Sequence, residues 1–160
     1  MNFAEVVEKY VVRPITGVLH VGAHHGEAAD TYEAAKVAQV IWIEGDQTAI
    51  DPLWDNVQFR VGHEVIGARV DDHNHCLDQL DRYKTVSPAD HRFGEFNFWV
   101  FTIPDADLRA ALRGATVTLR YADYVYAEAG THLDEIDASL AEFQRVSVGE
   151  GDDTELWVRG

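Results

Sequence analysis

The chain has 160 residues and a formal charge of −15 at pH 7, with 28 acidic side chains against 13 basic ones. It is long enough for one domain with a real core, and its 46% apolar share is that of an ordinary globular protein. The charge repels phosphate backbones and no lysine or arginine cluster offsets it, so nucleic acid is not an expected partner. A salt-rich habitat would select the same acidity without functional meaning.

No apolar run nears the roughly 20 residues that span a bilayer, so no membrane partner is expected. The start "MNFAEVVEKYVVRP" lacks the basic end and apolar core of a signal peptide, which favours a cytoplasmic setting. One cysteine, Cys76, allows no internal disulfide. No repeat or linker divides the chain, so a single domain over 1–160 is expected, with 1–16 as an N-terminal helix and lead-in.

"EVVEKYVV" reads as a short helix over a sheet edge. "GVLHV" has the continuous apolar character of a buried parallel strand. A helical, alanine-rich pattern runs from Glu27 to Ala38, and "QVIWIE" is a second buried strand. "TAIDPLWDNV" is a second helix with Pro52 in its first turn. "HEVIGARV" is a third strand, "CLDQLDRY" an amphipathic segment, and "KTVSPADHRFGE" a polar loop with turn-forming residues. "FNFWVFTI" is the most strongly β-forming run. "DADLRAALRGA" is a helix with Asp105 as N-cap and Gly114 as its stop.

"DYVYAEA" is a fifth strand. "THLDEIDASLAEF" is a helix capped by Thr131, with Leu133, Ile136, Leu140 and Phe143 on one face. "QRVSV" and "TELWVR", joined by "GEGDD", read as an antiparallel hairpin. Strands alternating with helices before that hairpin imply an α/β, doubly wound, mostly parallel sheet. Ligands of such sheets bind beyond the carboxyl ends of the strands, where strand order reverses.

The loop "GAHHG" then falls at that crevice. Gly22 and Gly26 would let the backbone turn and approach a ligand, and the next helix would present its first amides. Glu44 ends the second strand about 20 residues on, the spacing at which a carboxylate meets ribose hydroxyls. The spacing alone equally describes a plain strand–turn–helix connection with an exposed glutamate. G-x-x-x-G lacks the third glycine of the dinucleotide fingerprint and no Tyr-x-x-x-Lys pair is near, which argues against a nicotinamide-dependent oxidoreductase.

The wording "VLHVGAHHGEAADTYEAAKVAQVIWIEG" resembles the opening of the FkbM-type S-adenosylmethionine-dependent methyltransferases. "CLDQL", "LRGA", "DYVYAEAGTHLDEIDASLAEF" and "GDDTELWVR" are similar to later pieces of that family, in its order. The resemblance implies a Rossmann-like, class I methyltransferase fold with S-adenosylmethionine held by Gly22, Ala23, His24, Gly26, Glu44 and Gly45, and Asp71 and Asp72 near the adenine. It also implies O-methylation of a carbohydrate or other small hydroxyl compound; His24, Asp105 and Glu128 are the candidate proton acceptors for such a reaction. The family's "D-x-Q-G" after the fourth strand is replaced here: Ile103, Asp105 and Ala106 stand at the Asp, Gln and Gly positions. The segment between "EVIGARV" and "CLDQL" is also short for the family.

Both losses motivate a second reading, a non-catalytic module within a homo-oligomer or larger assembly, virion-associated for instance. His73, His75 and Cys76 with Asp71 and Asp72 carry metal-ligand chemistry but not the regular four-ligand spacing of structural zinc, so no metal is assigned. His20, inside a buried strand, is expected to be a hydrogen-bonded core histidine. The four tryptophans are expected to serve packing.

Overall fold

The computed structural model describes residues 2–83, 93, 96–128, 130, 132–147 and 154–160. The polar loop expected over 84–95 (except Phe93), the Thr131 cap and the turn "GEGDD" lie outside the described residues. Seven strands form one sheet: β1 (Val18–Val21), β2 (Val40–Glu44), β3 (His63–Gly67), β4 (Phe98–Phe101), β5 (Tyr124–Glu128), β6 (Phe143–Ser147) and β7 (Thr154–Arg159). Their order is β3-β2-β1-β4-β5-β7-β6. The first five pair in parallel, and β7 runs antiparallel to both β5 and β6. The chain first builds outward from β1 to β3, then crosses back to β4, so strand order reverses between β1 and β4.

Among the described residues, six α-helices accompany the sheet: α1 (Phe3–Tyr10), α2 (Ala29–Ala34), α3 (Gln47–Val57), α4 (Leu77–Tyr83), α5 (Asp105–Arg113) and α6 (Leu133–Ser139). The two-residue alternation of strands sorts the core into two layers. Leu19, Ile41, Trp99, Val125 and Trp157 pack with Leu108, Leu112 and Ile136 of α5 and α6. Val18, Val40, Trp42, Phe98 and Tyr124 pack with Phe3, Val6, Tyr32, Leu53 and Val57 of α1, α2 and α3. Three of the four tryptophans are fully buried; Trp54 is half exposed. Truncating one of the buried three would cost about 3–5 kcal/mol.

Several local expectations need correction. The first helix lies on a sheet face, not an edge: Phe3 meets Phe98 of the central β4 edge-to-face at 5.2 Å. The helix expected over Glu27–Ala38 shrinks to α2, because residues 24–28 are spent in a turn. Pro52 sits mid-helix in α3, where it removes the hydrogen bond to the Thr48 carbonyl. Asp46 caps that helix instead, its carboxylate accepting from the Thr48 amide at 2.9 Å. Phe143 opens β6 rather than extending α6, and Arg159 lies over its ring at 4.5 Å.

The strand ends at the reversal are tied by a chain of hydrogen bonds that runs from a buried histidine to an exposed threonine. His20 on β1 is 5% exposed, stacks on Trp42, and places Nδ1 2.7 Å from the Tyr32 hydroxyl and Nε2 3.0 Å from Thr102 Oγ1. Thr102 Oγ1 donates its single proton to the Gly22 carbonyl. It must therefore accept from His20 Nε2–H, which leaves Nδ1 to accept from Tyr32. Both ring nitrogens and both hydroxyl protons are used, and the imidazole is neutral. Burial pushes the His20 pKa down to about 4, and burial likewise raises that of Tyr32.

The unfolded chain, with His20 near its ordinary 6.5, binds a proton that the folded chain refuses. Stability must therefore fall as pH drops from about 6.5 toward 4. His20→Gln keeps one acceptor and one donor but cannot be protonated. Between about pH 7.5 and about pH 5, chemical denaturation should show the natural chain losing about 2 kcal/mol more than this variant. Contributions from the other histidines cancel in that difference. Equal losses would contradict the neutral buried assignment.

Candidate functional site

A cleft of about 370 Å³ opens at the carboxyl ends of β1, β2 and β4. Val21, Gly22, Ile43, Ala68, Val70 and Ile103 supply much of its wall, and Glu44, Asp46, Arg69, Thr102 and Asp107 its polar groups. A second depression of about 440 Å³ adjoins it, lined by His20, Ala23, Glu27 and Ala28. The two share Gly22, His24 and Thr102.

Glu44 is the organising side chain. One carboxylate oxygen accepts from the His24 amide at 2.8 Å, and the other from the Gly45 amide at 3.0 Å. Two backbone donors 21 positions apart thus fix one carboxylate at the rim of the cleft. An ionised carboxylate has about four lone-pair sites, so capacity for further donors remains. Arg69 brings the one cationic side chain of the lining, 3.4 Å from Asp107. Gly45 is needed for close approach, since a Cβ there would stand 2.8 Å from the Arg69 Cα.

The loop glycines also serve the protein's own packing. Gly22 has φ +84°, and a Cβ on it would lie 2.5 Å from the Thr102 carbonyl oxygen. Gly26 has φ +75°, and its Cβ would meet Asn56 and Leu53 of α3 at 3.0 Å. Asn56 clamps the loop by donating to the His25 and Gly26 carbonyls at 3.0 and 2.9 Å. The loop amides are also spent internally. His24 donates to Glu44 and Gly26 to the Ala23 carbonyl. The Glu27 carboxylate loses hydration, but the His24 imidazole and the His25 and Glu27 amides outweigh that and hold its pKa low. The same contact with Glu27 raises the pKa of His24.

Of the expected cofactor residues, Gly22, His24, Glu44 and Gly45 line the cleft, and Ala23 lines the adjoining depression. Asp71 and Asp72 line neither. Asp71 Oδ1 accepts from the His73 and His75 amides, and Asp72 pairs with Arg113 at 3.1 Å. "DDHNHC" is a self-bonded turn whose cysteine is buried, not a convergent ligand set. Arg69 and Thr102 were not anticipated. Their signal was positional, since each follows the end of a parallel strand.

Of the expected proton acceptors, only His24 lines the cleft. Glu128 is exposed at the end of β5. Asp105 is not the cap of α5, whose N-cap is Pro104. Its Oδ2 instead accepts from His132 Nδ1 at 2.7 Å and from Arg109 Nε at 3.1 Å. This couples the loops after β4 and β5. His132 was missed because nothing in the local sequence links it to a residue 27 positions earlier.

No protein-family model matches the chain, and no curated protein matches its sequence. Solved structures do match its fold. The ribosomal protein L11 methylase of Lactobacillus delbrueckii subsp. bulgaricus superposes with a TM-score of 0.65 at 14% identity, covering 96% of this chain and 73% of that one. TrmK of M. capricolum, in complex with S-adenosylhomocysteine, gives 0.63 at 10% identity over 99% and 67%. The m1A22 tRNA methyltransferase TrmK of B. subtilis gives 0.63 at 13% identity over 96% and 62%. The likeness to FkbM-type enzymes rests on sequence motifs alone. The fold is that of the Rossmann-like class I methyltransferases.

Proposed function

We propose that the chain is an S-adenosylmethionine-dependent methyltransferase acting on a small hydroxyl-bearing or glycan acceptor. One observation carries the cofactor assignment: the Glu44 carboxylate is pinned by two amides at the rim of a cleft at the strand-order reversal. The cleft's donors and walls suit the group. Glu44 has acceptor capacity for the ribose diol, Ile43, Ala68 and Val70 offer an apolar wall for adenine, and Arg69 offers charge to a carboxylate. Gly22, Ala23, His24 and Gly26 form the turn beside it, and Gly45 its floor near Arg69. Asp71 and Asp72 are then supports of the neighbouring turn.

When bound, S-adenosylmethionine supplies a sulfonium methyl group open to in-line displacement by an acceptor oxygen. The chain's part is to hold that oxygen and take its proton. Asp105 accepts from Nδ1 of His132 at 2.7 Å and so orients that ring beyond the ends of β4 and β5, and His132 is the residue assigned to take the proton. Glu128 ends the adjacent strand. The charge of −15 supports a neutral or cationic acceptor over tRNA, on which the B. subtilis neighbour acts.

A second reading, a cofactor-binding module without turnover, is favoured by Ile103. An apolar side chain stands where the family carries an acid, and it packs against Gly22.

Titration calorimetry with S-adenosylmethionine should give saturable binding, weakened at least about 10-fold in Glu44→Gln, which trades one acceptor oxygen for a donor. Absence of binding, or equal affinity in the variant, would end the assignment. With labelled cofactor, transfer should appear in a glycan or small-molecule fraction and not in tRNA. His132→Gln should lower transfer about 100-fold or more with cofactor affinity unchanged. Transfer intact in that variant would remove His132 as proton acceptor, and transfer to no fraction would favour the second reading.

A further inference from the structure

The sequence draws attention to the histidines of "DDHNHC", but the ligand-competent pair lies elsewhere. Among the described residues, His24, His25 and Glu27 form a group whose donor atoms all lie within 4.8 Å of one another. Both Nδ1 atoms turn toward the same Glu27 oxygen, at 2.6 Å from His24 and 3.9 Å from His25. The two rings stack with centroids 3.9 Å apart and planes 20° apart. His24 holds φ at +52°, a left-handed conformation that is uncommon for a side-chain-bearing residue. That backbone twist is what lets consecutive residues present their rings to the same side.

We propose that His24, His25 and Glu27 bind a divalent first-row transition ion, zinc above all, at the junction of the two depressions. Two imidazole nitrogens and one carboxylate oxygen form a ligand set that zinc accepts with positions left open. All three residues are exposed, so the ion can enter from solvent and the rings can tilt to converge on it. Asn56, which donates to the His25 and Gly26 carbonyls, holds the backbone of the turn as a supporting element. An ion here would face the cleft and the adjoining depression at once, since His24 lines both. Its open positions would then be available to an oxygen of whatever occupies them. The ion site stands on its own ligand geometry, independent of the methyltransferase reading.

The test is titration of the full chain with zinc chloride in a non-chelating buffer, without any other ligand. One ion should bind per chain. The His24→Ala/His25→Ala double variant and Glu27→Gln should each weaken that binding at least about 10-fold. His73→Ala/His75→Ala should leave it unchanged. The substituted side chains are exposed, and circular dichroism checks that each variant keeps the native spectrum. Cobalt(II) in place of zinc should give visible absorption bands that disappear in the double variant. No binding at millimolar zinc, binding unchanged in the double variant, or equal competition by magnesium would overturn the site. The last outcome would mark diffuse attraction to an acidic surface. S-adenosylmethionine calorimetry on the metal-free chain reads the cofactor assignment separately, so either conclusion can fail alone.

Discussion

The neutral imidazole of His20 is the constraint on which the ligand end of this sheet depends. It joins Tyr32 of α2 to Thr102 beyond β4, and Thr102 in turn fastens the Gly22 carbonyl. Those contacts span the point where strand order reverses, the one place where neighbouring loops leave the sheet in opposite directions. A polar group buried this deeply is costly unless every proton has a destination, and here each one does. The loop shape at the crevice is thus fixed from inside the sheet.

On that footing Glu44 fixes the loop from outside. A carboxylate gathering amides from His24 and Gly45 keeps the turn after β1 against the end of β2. The turn is otherwise self-satisfied: Glu27 takes its amides, Asn56 its carbonyls, and the glycines fit close neighbours. In the proposed cofactor site, recognition accordingly falls to side chains, chiefly Glu44, Arg69 and the apolar wall, more than to the backbone amides of a glycine-rich loop. That distinguishes it from phosphate-binding turns, where free amides are the recognition element. It also suits a chain whose net charge disfavours polyanions.

The fold was legible because its signals are local. Uninterrupted apolar runs such as "QVIWIE" and "FNFWVFTI" can only be buried strands, and alternation with helical patterns forces parallel pairing. Helix limits were less legible, because α2 yields to a turn held by the distant Asn56, and α3 continues through Pro52. Glu44 could be found from its spacing to the glycine loop. Asp105 was found for the wrong reason: its partner His132 lies across a strand and a turn, and only the fold brings them within 2.7 Å. Asp71 and Asp72 line neither depression, because they lie in the turn beyond β3. Asp71 accepts from two amides of its own turn, and Asp72 pairs with Arg113.

The most direct measurement is a crystal structure of the chain with S-adenosylhomocysteine. The ribose hydroxyls should lie within hydrogen-bond distance of the Glu44 carboxylate, with the adenine against Ile43 and Val70 and the Gly22–Gly26 turn unmoved. The product seated elsewhere, or a Glu44 carboxylate turned from the sugar, would contradict the site.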